Sequence, residues 1–67
     1  MPDMDKLKGV MYEKHCTYAD GAKACGCSVT AFSNKINGKS NFTVIEANSL
    51  SKHLGLSLEA RSHIFLR

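Results

Sequence analysis

Residues 17–39, TYADGAKACGCSVTAFSNKINGK, read as two short helices joined by a turn, and the rest of the chain is arranged to support them. Thr17 has the side chain of an N-cap, and Asp20 stands in a capping-box position behind it. Gly26 closes the first helix, because a residue without a β-carbon enters the left-handed conformation at least cost. Ser28 caps a second helix, residues 29–36, which Asn37 and Gly38 stop with a turn signal. Only about three residues lie between the two elements, so they must meet at a sharp angle, as in a helix-turn-helix.

The two faces of the second helix separate by chemistry. Phe32 and Ile36 fall one turn apart and form an apolar side. Val29, Thr30, Ser33 and Asn34 are left on the other side, short and mostly polar, of a kind that fits a groove and reaches base edges. The preceding helix, residues 18–25, is built largely from Ala19, Gly21, Ala22, Ala24 and Cys25, which permits close approach of a neighbour. Ala22, Cys25 and Cys27 are expected to face the core, and Tyr18, Asp20 and Lys23 to look outward.

Outside this unit, Met4, Leu7, Val10 and Met11 make one helical stripe in a first helix ending near His15. A polar linker then leads to a helix with clear punctuation. Thr43 and Glu46 form a full capping box, Phe42 and Ala47 can staple across it, and Gly55 ends the helix. Its inner stripe is expected to be Val44, Ala47, Leu50 and Leu54. Ser57 caps a last helix carrying Leu58, Ala60, Ile64 and Phe65. Five helices with short connections predict one compact all-α domain spanning residues 1–67.

Composition bounds what such a domain can be. A chain of 67 residues buries only about 60% of the surface it exposes when unfolded, so stability should be marginal. Its 43% hydrophobic and 22% charged residues suit a folded soluble protein, and no apolar run approaches the ~18 residues of a membrane span. The opening MPDMDKLKG lacks the apolar segment of a secretory signal. Three cysteines, two of them flanking Gly26 too closely for an ordinary disulfide, point to a reducing cytoplasm. The net charge of +3 has the right sign for a polyanion partner, and no single block carries it.

With these residues in place, the chain resembles the lambda-repressor-like DNA-binding domains of phage repressors, Cro proteins and related bacterial regulators. The resemblance covers residues 7–65 and is most specific at Thr17, Tyr18, Ala22, Gly26, Ser28, Phe32, Asn37 and Gly38. The run FSNKINGKSNFTVIEANSLSKHLGLS is similar to members from phages and prophages of Gram-positive bacteria. The resemblance implies a sequence-specific transcriptional regulator that lays its third helix in the major groove of operator DNA. It assigns base reading to Val29, Thr30, Ser33 and Asn34, and a phosphate contact with a bracing role to Tyr18. Lys35, Asn37 and Lys39 are placed against the DNA backbone, and Ser28 joins the same DNA-binding set.

Departures from the family pattern carry expectations of their own. Gly21 stands where an apolar residue, often Leu, is usual, and Cys25 and Cys27 replace larger aliphatics, which predicts loose packing around the second helix. Lys35 replaces an aliphatic residue. Val29 has no hydrogen-bonding group and is suited instead to a thymine methyl.

The same residues admit other readings. His15, Cys16, Cys25 and Cys27 are zinc-competent types, but Cys-x-Cys across a helix end lacks the paired spacing of a structural site, so no metal or cofactor is expected. Nothing forms a catalytic constellation, and the chain is not expected to be an enzyme. It is too short to hold the separate dimerisation domain of long repressors, so any homodimer is expected through the last helix, with Leu58, Ile64, Phe65 and Leu66. The alternative function is a protein-interaction module of the same fold, antitoxin-like or an accessory phage protein.

Overall fold

The computed structural model describes residues 3–65 and contains five helices, α1 (Met4–Glu13), α2 (Tyr18–Cys25), α3 (Val29–Ile36), α4 (Val44–Leu54) and α5 (Leu58–Phe65). The caps and turn glycines read in the sequence are used, Ser28 and Ser57 included. Thr17 and Asp20 form a complete capping box on α2, as do Thr43 and Glu46 on α4, and Asp3 caps α1 by accepting from Lys6 N–H. Gly26 and Gly55 close α2 and α4 in the left-handed conformation, with φ of 73° and 68°. α1 ends at Glu13, short of His15, whose own φ of 56° puts it in the left-handed position that follows the helix.

α2 lies against both α3 and α4, while α1 packs on α3 and α5. Leu7, Met11, Ala22, Phe32, Ile36, Leu50, Leu54 and Ile64 are buried together between them. Phe32 is at the centre. Its ring meets Tyr18 of α2 edge-on at 5.7 Å and Phe42 at 5.8 Å, and Phe42 in turn meets Phe65 of α5 at 5.6 Å. Such edge-to-face pairs are worth about 0.5–1.5 kcal/mol each beyond the area they bury. The series ties α2, α3 and α5 into one body.

Three sequence expectations are corrected here. The packing around Gly21 is tight, not loose. Gly21 is buried, and a β-carbon there would fall 2.8 and 2.9 Å from the Cε atoms of Phe32 and closer still to Cζ. The missing side chain is the room the ring needs. Val44 is not on the inner stripe of α4 but 77% exposed, and Ser51 is buried there beside Leu50 and Leu54. The Phe42 ring, arriving from the linker, takes the space at that end of the stripe. Lastly, the apolar set expected on the outside of α5 is divided. Ile64 is wholly buried and Phe65 half-buried against Phe42, Leu58 is exposed, and Leu66 lies outside the described residues.

Candidate nucleic-acid interface

The geometry of α2 and α3 is fixed from both ends. Thr17 Oγ1 accepts from Asp20 N–H at 3.1 Å, and Thr17 N–H donates to the Asp20 carboxylate at 3.1 Å. These bonds hold the Asp20 carboxyl below its ordinary range. Beyond the turn glycine, Cys27 N–H donates to the Ala22 carbonyl at 3.0 Å, which secures the path between the helices. Ser28 Oγ accepts from Ala31 N–H at 3.1 Å and starts α3. At its far end, Lys39 N–H and Ser40 N–H both donate to the Asn34 carbonyl, and Gly38 takes a φ of 81°. Both ends of this eight-residue helix therefore carry capping bonds.

With Phe32 and Ile36 fully buried, the opposite face of α3 is turned to solvent. Thr30 and Asn34 are exposed and Val29 is half-exposed at 50%. Ser33 is half-buried, its hydroxyl accepting from the Asn37 side-chain amide at 3.3 Å. The outer surface thus offers one methyl pair, one hydroxyl and one free carboxamide, in that order along the helix. Asn37 and Lys39 are exposed at its C-terminal end. Tyr18 is 37% exposed with its ring edge on Phe32, so the brace expected between α2 and α3 is made through the aromatic ring.

Lys35 does something else. Its ammonium lies 2.9 Å from Glu46 Oε1 and donates to the Asn41 carbonyl at 3.2 Å, with about 15% of the side chain exposed. One partner lies in the linker and the other in the first turn of α4, so the positive charge expected against the DNA backbone is turned into the protein. Glu46 Oε1 also accepts from Thr43 N–H at 2.8 Å. The Thr43 bond first, and then Lys35, keep the Glu46 carboxyl below its ordinary range. α3 has no carboxylate of its own, and Glu46 is neutralised by Lys35.

The thiols are set back from this surface. Cys16, Cys25 and Cys27 are half-buried and unbonded to each other. Burial, then the neighbouring Cys27, pushes the Cys25 thiol up to about 11, and burial with Asp20 raises Cys16. Both shifts disfavour the thiolate that nucleophilic or metal-binding roles need. Among the described residues, no three His, Cys, Asp or Glu side chains converge as metal ligands, and no helix is long and apolar enough to cross a membrane.

Sequence reasoning brought Val29, Thr30, Ser33, Asn34, Asn37 and Lys39 to one helix and its end, and the structure keeps them there. It missed the clasp between Lys35 and Glu46. The signal was present as a lysine where the apolar rhythm of α3 calls for an aliphatic, across from a capping-box glutamate. No protein-family profile, curated protein or solved structure matches the chain.

Proposed function

We propose that this chain is a sequence-specific DNA-binding domain acting in transcription regulation in the cytoplasm, with α3 entering the major groove. One observation supports this above the others: a short, uncharged face on α3 is open to solvent while its apolar back is locked against α2, where the Phe32 ring meets Tyr18 and Gly21. Rigid presentation is what base reading requires, because a loosely held helix would lose the register that discriminates one edge from another. On this reading Asn34 reads adenine through its carboxamide, Thr30 donates or accepts at a neighbouring base, and Val29 meets a thymine methyl. Lys39 contacts phosphate, and Lys35 acts through folding only.

Pairing belongs to the same proposal. Among the described residues of α5, one large apolar side chain, Leu58, is mostly exposed, against the ~800 Å² per partner that stable interfaces cover. We therefore assign dimerisation to the DNA-bound state, on half-sites about 34 Å apart. Sedimentation should show monomer alone and two chains per palindromic duplex. One chain per duplex throughout would remove the dimer.

Selection of binding sites from random duplexes, followed by fluorescence anisotropy in a salt series, tests the function itself. An enriched sequence is expected. Asn34→Ala should lower affinity for it by about 1–3 kcal/mol and relax preference at one position, while Lys39→Ala should weaken all duplexes alike and reduce the salt slope by about one. The second reading, a protein-interaction module, draws on the internal use of Lys35, which leaves few cations beside α3. It predicts no enrichment of any duplex.

A further inference from the structure

A groove of about 470 Å³ lies between the first turn of α4, α5 and the linker that follows α3. Its walls include Met4, Phe42, Val44, Ala47 and Phe65, with Arg61 among its polar groups. Val44 and Ile45 occupy the first two positions of α4 and are 77% and 78% exposed. Ile45 does not line the groove but follows Val44 directly in α4, a second exposed apolar side chain beside it.

Charge decides what chemistry fits. No carboxylate is among the described residues lining the groove. Lys35, at one side, is neutralised by Glu46. Arg61 donates one N–H to the Asn48 side-chain carbonyl, which orients the guanidinium, and among the described residues it has no acidic partner. The groove therefore combines an apolar trough with one oriented, uncompensated cation. A guanidinium held in this way matches a carboxylate with two parallel hydrogen bonds.

We propose that this groove docks an acidic segment of another protein, one that carries a bulky apolar side chain next to an Asp or Glu. The apolar side chain fills the trough between Phe42 and Phe65, the carboxylate pairs with Arg61, and the segment continues over Val44 and Ile45. Continuity with Ile45 favours a polypeptide over a small amphipathic acid, which would fill the trough and leave Ile45 in water. The site does not depend on whether α3 binds DNA.

The test is selection of a random peptide library, about a dozen residues per peptide, on the whole chain, followed by affinity measurement and amide chemical-shift mapping. Enriched peptides should place Asp or Glu within two residues of Leu, Ile, Phe or Trp, and should shift the amides of Val44, Ala47 and Phe65. Arg61→Glu should weaken them by about tenfold or more, with peptides carrying Lys in place of the acid regaining affinity for that variant. Ile45→Lys, at an exposed position with no folding role, should weaken them as well and decides the matter if Arg61→Glu melts early. No enrichment, enrichment of basic peptides, or indifference to both variants would overturn the proposal. So would octanoate shifting the same amides as strongly as the peptides, or a concentration series of the chain alone showing a second copy in the groove.

Discussion

Gly21 and Phe32 behave as one unit. An alanine at position 21 gains about 1 kcal/mol of helix propensity, yet its β-carbon enters the volume of a ring already bounded by Tyr18 and Phe42. Overpacking of this kind costs about 1–3 kcal/mol, so Gly21→Ala should be destabilising in urea titration. Phe32→Leu removes the ring atoms that meet position 21 and should relieve the clash, giving a double variant more stable than the sum of the single effects by about 1 kcal/mol. Additivity within about 0.5 kcal/mol would contradict the close contact. Ser51 makes the opposite case. Its hydroxyl is buried with no hydrogen-bond partner among the described residues, so Ser51→Ala should raise the urea midpoint by the equivalent of about 1 kcal/mol.

Between elements, the clasp of Lys35, Glu46, Thr43 and the Asn41 carbonyl joins the end of α3 to the start of α4. Glu46→Gln keeps a capping-box acceptor for Thr43 but removes the charge, and should cost about 1–2 kcal/mol at neutral pH by thermal or urea unfolding. The pH dependence follows from the lowered Glu46 carboxyl. Because its folded value lies below the unfolded one, its contribution is complete above the unfolded value of about 4.3 and disappears as pH falls through the folded value. Stability of the native chain should therefore decline on acidification below about pH 4.5, with a shallower decline in Glu46→Gln. Equal slopes would mean that the clasp contributes nothing. Sequence alone disclosed the helices and their caps because caps, boxes and left-handed glycines act within a few residues. It did not disclose the clasp, the exposure of Val44 or the fit of Gly21 to Phe32, since each depends on a partner from another element. A glycine inside a helix and a lysine on an apolar rhythm look like defects until the facing residue is known.

At the scale of the molecule, the Cα radius of gyration of 10.4 Å is close to the about 11 Å expected for a folded chain of this length. Within extents of 27 × 23 × 20 Å, the aromatic series from Tyr18 to Phe65 connects α3, the proposed reading helix, with α5 beside the groove. A domain this small keeps α3 in place only because both surfaces share that core. The central claim is that the face of α3 opposite Phe32 and Ile36 is a reading surface. Amide and side-chain chemical-shift mapping of the labelled chain, titrated with its selected duplex, tests it most directly. The account predicts the largest changes at Val29, Thr30, the Asn34 carboxamide and Lys39, with Val44 and Ala47 unmoved. Changes centred on α4 and α5, or none at saturating duplex, would contradict it.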